Sequence, residues 1–219
     1  AITKKTKIIF IANPNNPTGT YLNQDELRLL MSKIPINIVV VLDTAYAEFA
    51  DADDYDKTFN LVDEYKNVII TRTFSKAYGL AGLRVGYMAA NFKIAKSLFN
   101  LKPMYEVNSV GVIASLIMLK NSNIYKNYIF ETKKGLDLFV KYLIDNKISF
   151  VKTHANFIYI DLGKKINYYY KKLNQHGILT KKGLSIKGYE NYLRVTLGPP
   201  KQIKKIISKL KILKKKLNY

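Results

Sequence analysis

The stretch INIVVVLDTAY (residues 36–46) holds an unbroken run of β-branched and aliphatic side chains that stops abruptly at Asp-Thr-Ala-Tyr. A half-wet strand alternates apolar with polar residues, whereas a continuous apolar run is the pattern of a strand buried on both faces of a parallel sheet. Working outward, KIIFIA (7–12), NVIIT (67–71) and RVGYMA (84–89) have the same character. Between the first two, Asn23 followed three residues later by Glu26 is a capping-box-like start to a helix that carries Leu27, Leu30 and Met31 on one side. Strands linked through helices, with turn-rich strings at their C-terminal ends, describe an open, mostly parallel α/β sheet, whose ligands bind at those ends.

Beyond Asn91 the pattern changes. Residues 92–101, 108–120 and 125–146 have helical character, 148–151, 156–162 and 193–197 that of strands, and 166–175 and the tail that of helices. This mixture predicts a smaller α+β domain at the C-terminus. The expected division is a sheet domain over 1–110, connecting helices over 111–146 and the small domain over 147–219.

The chain has no cysteine, which removes a disulfide framework, a thiolate-bound zinc and a thiol nucleophile together, and its two histidines, His154 and His176, sit in unrelated contexts, so no metal ligand set is expected. The longest apolar run, residues 110–119, is far shorter than the ~18 residues of a membrane span, so a soluble, cytoplasmic protein is expected. Its 36 basic and 16 acidic side chains leave a formal charge of +20. Residues 1–66 carry 7 basic against 10 acidic groups, so the excess lies beyond them. In the tail, however, Ile203, Ile206, Ile207, Leu210, Leu213 and Leu217 recur at helical spacing, which makes the tail lysines the wet face of an amphipathic helix rather than a nucleic-acid surface. Only four of the basic residues are arginine: Arg28, Arg72, Arg84 and Arg194. Where lysine is the default cation, an arginine marks a need for a planar fork that grips carboxylate or phosphate.

Four strings lie at or just after strand ends. NPNNPTG (13–19) supplies the dihedral angles of a tight reversal. LDTAY (42–46) brings a carboxylate, Asp43, off a buried strand, either to cap a helix or to face a ligand cation, with Tyr46 three residues on. TRTFSKAYGLAGLRVGY (71–87) groups Thr73, Ser75, Lys76 and Arg84 around two glycines, a set suited to an anion but without Walker-loop spacing. YLRVTLG (192–198) sets Arg194 in an apolar strand, where it needs either a structural acid or a substrate anion.

In this order and at these intervals, the four strings resemble those of the fold type I pyridoxal-phosphate aminotransferases, and the lysine string is most similar to that of the histidinol-phosphate aminotransferases. The resemblance implies a three-layer α/β/α large domain, present here in its C-terminal part, and a small α+β domain. It implies pyridoxal phosphate as cofactor, with Lys76 bonding its aldehyde and shuttling a proton, Asp43 facing the pyridinium nitrogen, and Tyr46 and Asn16 on the ring hydroxyl. It further implies that Arg84, Thr73 and Ser75 hold the phosphate, and that Arg194, with Asn16, meets the substrate. The implied activity is transamination between L-glutamate and histidinol phosphate; aromatic amino-acid transamination, threonine-phosphate decarboxylation and a catalytically incomplete fragment are the alternatives. The implied assembly is a homodimer acting on small molecules, with neither nucleic acid nor membrane as partner. The likeness covers about the C-terminal three-fifths of a family member. The family segment preceding KIIFIA supplies further strands, a glycine loop for the phosphate, an aromatic stacked on the ring and a tyrosine for the neighbouring subunit's site.

Overall fold

The computed structural model describes residues 2–50, 56–101, 103, 107–183 and 186–216. The chain divides into two compact units, one of residues 1–16 and 21–126, the other of residues 17–20 and 127–219. It is a mixed α/β protein whose first unit has the parallel-rich sheet.

In the first unit β1 (Ile8–Ala12), β2 (Val39–Asp43) and β3 (Val68–Thr73) pair in parallel, and β4 (Gly86–Ala90) joins antiparallel to β3, in the order β1-β2-β3-β4. Helix α1 (Gln24–Ser32) begins at the expected capping box: the Asn23 side chain accepts from the Glu26 amide at 2.9 Å, and the Glu26 carboxylate accepts from the Asn23 amide at 2.8 Å. Its apolar side lays Leu27 and Met31 onto Val40, Leu42, Val68 and Ile70, with Leu61 of the short helix α2 (Asn60–Glu64) alongside. Arg28 and Glu64 tie the two helices with a two-pronged contact, both bonds 2.8 Å. That contact raises the affinity of the Arg28 guanidinium for its proton and lowers that of the Glu64 carboxylate.

Two expectations need correction. The run in β2 reads as buried on both faces, yet only Val40 and Leu42 are buried; Val39 and Val41 are half-buried, and Phe10 of the neighbouring β1 is 76% exposed. Within this unit α1 and α2 cover one face, and the apolar side chains of the other face are left partly open. The string RVGYMA reads as a strand from Arg84, whereas the strand begins at Gly86. A single turn of 3₁₀-helix (Ala81–Leu83) ends at Arg84, which adopts the left-handed conformation (φ 56°, ψ 44°) and so cannot belong to the ladder.

Three helices follow: α3 (Phe92–Phe99), α4 (Ser109–Lys120) and α5 (Ser122–Asp145), the last crossing from the first unit into the second. Helix α4 is apolar all round and leaves Val110, Ile113, Leu116 and Ile117 exposed. Among the described residues no helix is long and apolar enough to cross a membrane.

The second unit is an antiparallel sheet in the order β5-β6-β8-β7, formed by β5 (Phe150–Val151), β6 (Phe157–Asp161), β7 (Lys181–Lys182) and β8 (Tyr192–Thr196). Ile158 and Ile160 of β6 face Val195 and Leu193 of β8, and this patch is buried under Phe139 and Leu143 of α5, Leu173 of helix α6 (Ile166–Gln175), and Ile203 and Leu210 of helix α7 (Pro200–Lys215). On α7 the apolar stripe faces the core while Lys201, Lys204, Lys205, Lys211 and Lys214 stand in solvent, as the helical spacing predicts; Leu217 lies outside the described residues.

Close backbone approach explains one glycine in this core. A Cβ at Gly135 of α5 would overlap the carbonyl oxygen of Gly198, just after β8. Alanine gains roughly 1 kcal/mol in helix propensity over glycine, but the turn at Gly198 is anchored by the neighbouring Leu197 amide, which donates to the Asn156 carbonyl at 2.8 Å. Gly135→Ala is therefore expected to destabilise the protein by about 1–3 kcal/mol through overpacking, seen as a lower urea midpoint. An unchanged or raised midpoint would show that the turn yields.

Candidate active site

Parallel pairing places Ala12, Asp43 and Thr71 side by side, because Ala12 is in register with Asp43 and Asp43 with Thr71. The loops that leave these three positions therefore open at one edge of the sheet. After β1, the Asn13 amide donates to the Asp43 carbonyl at 2.8 Å, and the Asn13 side chain closes the loop by donating to the Leu22 carbonyl (2.8 Å) and accepting from the Leu22 amide (2.7 Å). Asn13 is thus a buried staple, and the turn character of NPNNPTG lies there; the Asn13–Pro14 peptide bond is cis. Asn16 is exposed. Further on, Gly19 belongs to the second unit, with φ at +79°, and a Cβ there would overlap Thr153, while its carbonyl accepts from the His154 amide at 2.8 Å.

After β2, one oxygen of Asp43 accepts from the Ala45 amide at 3.0 Å. Its side chain is exposed, and its second oxygen has no hydrogen-bond partner among the described residues. The cap, one of the two alternatives in the sequence, is thus met by one oxygen of Asp43, and the other oxygen is left available. Tyr46 is buried, and the Lys76 amine lies 5.3 Å from the centre of its ring. Lys76 has no carboxylate partner among the described residues.

These side chains meet in a hollow of about 160 Å³ lined by Ala12, Pro14, Asn16, Asp43, Ala45, Tyr46 and Lys76. Small-molecule pockets are usually about 300–1,000 Å³, so the hollow has room for one end of such a ligand. The set of polar groups lining it is a carboxylate, an amine, a carboxamide and a phenol. That set matches a heteroaromatic ring with a basic nitrogen, a hydroxyl and an electrophilic carbon.

Thr73, Ser75 and Arg84 are not brought to this hollow. The Thr73 hydroxyl accepts from the Ser75 amide at 3.1 Å and donates to the Val85 carbonyl at 3.4 Å, shaping the connection from β3 to β4. Arg84 is exposed and donates to the Ala81 carbonyl at 3.0 Å.

Arg194 lies in the second unit. The period of two along β8 turns Leu193 and Val195 to the core and Arg194 to the opposite face, half-buried, its guanidinium carbon 4.7 Å from the centre of the Phe157 ring. No carboxylate lies within 4 Å of it among the described residues, so a structural ion pair is not what holds it. Its ladder neighbours are Tyr159 and Lys181. Burial raises the Tyr159 phenol's pKa, and the Arg194 charge works against that rise. Two cations directly opposite in a ladder repel, and an anion between them removes the repulsion. Lys181 is the residue that inspection of the sequence misses: β7 is two residues long, too short for any period, and Lys181 stands out only once the register is known.

One further pair was not singled out as a pair from the sequence. Nη1 of Arg72, on β3, is 3.4 Å from Oε1 of Glu48, in the 3₁₀ turn after Tyr46, and both side chains are buried. The scarcity of arginine is the signal that marks Arg72; nothing local marks Glu48.

The family model for aminotransferase class I and II matches residues 1–210. The chain is 37% identical over 217 residues to the histidinol-phosphate aminotransferase of Geobacillus sp. (strain WCH70), covering 99% of this chain and 59% of that protein. It is 38% identical to that of Caldicellulosiruptor saccharolyticus, covering 90% and 55%. The structure of histidinol-phosphate aminotransferase from Sinorhizobium meliloti in complex with pyridoxal-5'-phosphate superposes with a TM-score of 0.85 at 25% identity, covering 96% of this chain and 58% of that one. The chain thus spans less than two thirds of the length of these relatives. With the family model matching nearly its whole length, the chain belongs to the aminotransferase class I and II family.

Proposed function

We propose that the chain carries the lysine-bearing part of a pyridoxal-phosphate-dependent enzyme that moves an amino group between L-glutamate and the keto partner of histidinol phosphate. The observation that carries this proposal is the single hollow gathering Asn16, Asp43, Tyr46 and Lys76. The relatives' printed names support the substrate, and a three-layer large domain, a homodimeric assembly and a cytoplasmic enzyme acting on small molecules belong to the same proposal.

Pyridoxal phosphate, when bound, withdraws electrons from the substrate's α-carbon and so makes its proton acidic. Lys76 would hold that group through Nζ, and its amine would be the base that takes the substrate's α-proton and the acid that returns it. Asp43 would supply the negative charge that favours a protonated ring nitrogen. Asn16 and Tyr46 would hydrogen-bond the ring hydroxyl, and Asn16 would also border the substrate. Thr73, Ser75 and Arg84, which lie outside the hollow, would supply hydroxyls and a cation for the phosphate. Arg194, with Lys181 beside it, takes the substrate's carboxylate in one half-reaction and its phosphate in the other.

The exposure of Phe10 and of the α4 face favours a second reading, in which the chain alone is catalytically incomplete. One experiment tests both. Borohydride reduction of the chain with pyridoxal phosphate is expected to fix a pyridoxyl group on the Lys76 peptide, and Lys76→Arg to abolish the label; a label on other lysines would defeat the assignment. A labelled chain that does not turn over is the incomplete enzyme.

Asp43→Asn is expected to slow the half-reaction with glutamate by several orders of magnitude in stopped-flow absorbance while the fold, by circular dichroism, is retained. Near-normal rates would leave Asp43 as a cap only. For Arg194→Lys, charge is kept and the fork is lost; a charge-assisted contact is worth roughly 1.5–3 kcal/mol. In a version that turns over, kcat/KM for glutamate should fall about ten- to a hundredfold, with an unchanged melting temperature. Unfolding without selective loss would instead make Arg194 structural.

A further inference from the structure

We propose that Arg72 and Glu48 are positioning residues for the Lys76 amine: their buried ion pair locks the turn bearing Tyr46 to the strand that leads into Lys76. This rests on Lys76 being the cofactor-bonding lysine.

The pair is placed where solvent cannot compete with it. The side chains are 1% and 3% exposed. The Arg72 guanidinium carbon is 4.7 Å from the centre of the Phe59 ring, Phe59 stacks on Tyr87 at 6.4 Å, and Tyr87 packs on Phe74 at 5.8 Å. The Tyr87 phenol, facing both charges, has its pKa raised mainly by burial, with Arg72 opposing the rise and Glu48 adding to it. A buried ion pair is a weak source of stability, because the cost of drying both charges offsets their attraction. Directional strength is what it offers, and here it joins two loops of the site.

Glu48 cannot move without Tyr46. The 3₁₀ turn is closed by the Ala47 amide on the Thr44 carbonyl and by the Phe49 amide on the Tyr46 carbonyl, each at 3.0 Å. Arg72 is fixed in the ladder opposite Tyr87. Four residues later Lys76 sits in a reversal closed by the Gly79 amide on the Lys76 carbonyl (3.1 Å) and the Leu80 amide on the Phe74 carbonyl (2.9 Å). Nearer the sheet, the Thr44 hydroxyl donates to the Thr71 carbonyl at 2.7 Å. With the Lys76 amine 5.3 Å from the Tyr46 ring centre, slippage between the loops displaces the amine relative to the hollow. A misplacement of about 1 Å is enough to cost on the order of a hundredfold in reactivity.

The test separates positioning from stability. Glu48→Leu combined with Arg72→Met removes both charges and keeps apolar bulk, a change that commonly leaves stability unchanged or raised. In the 219-residue chain without cofactor, the rate of reductive methylation of Lys76 relative to the other lysines is read by mass spectrometry. Affinity for pyridoxal phosphate is then read by titration. The expected result is a melting temperature close to the parent's, a relative Lys76 rate altered about threefold or more, and affinity weakened about tenfold or more. Arg72→Lys, which keeps a cation for Glu48, should recover most of both. A folded double variant with the parent's relative rate and affinity overturns the proposal. If the double variant does not fold, Glu48→Gln is read in the same way, and a folded Glu48→Gln with the parent's relative rate overturns it too. A parent chain that takes up no pyridoxal phosphate defeats the functional proposal, while the cofactor-free rate still decides the positioning.

Discussion

Parallel pairing of β1, β2 and β3 in one register, with Ala12 beside Asp43 and Asp43 beside Thr71, is the constraint from which the site follows. Parallel strands need crossovers, so every chain reversal at their C-terminal edge is a loop free to carry polar groups. Asn16, Asp43, Tyr46 and Lys76, spread over sixty residues of chain, reach one hollow because three such loops open at one edge. The apolar packing of α1 on Val40, Leu42, Val68 and Ile70 holds that register, since a slip by one residue would turn those side chains away from the helix.

Electrostatics sort the scarce arginines into two kinds. Arg28 and Arg72 meet carboxylates of the chain itself, one at the surface and one in the core. Arg84 and Arg194 meet no carboxylate among the described residues and stay within reach of solvent. The lysines of α7 need no such explanation. Their stems flank an apolar stripe buried against the second sheet, and their charges are hydrated. On this helix the positive charge is thus a property of wet surface.

Local signals that act within a few residues were legible from the chain. The capping box at Asn23, the strands around residues 8–12, 39–43 and 157–161, the helix over 166–175 and the amphipathic tail all appear where spacing and capping predict them. The four strings contain the polar residues that line the hollow, and Arg194, because loops at strand ends are short and their polar residues few. The sequence was less informative wherever a side chain's surroundings come from elsewhere in the chain. Arg84 sits beside a β-branched valine and reads as strand, but the preceding turn holds it in the left-handed region. The run in β2 is apolar on both sides without being equally covered on both.

What the sequence determined by itself is the set of elements and the candidate chemistry: β-branched runs, helical spacing, caps, and the order of four motif strings, all properties of neighbours along the chain. Only the tertiary structure decided which of those residues meet. It joined Asp43 to Lys76 across one hollow, set Lys181 opposite Arg194, and buried Glu48 against Arg72. Contacts between residues tens of positions apart depend on strand register and on which face a period of two presents. Both are set by packing of the whole unit, and no local pattern encodes them.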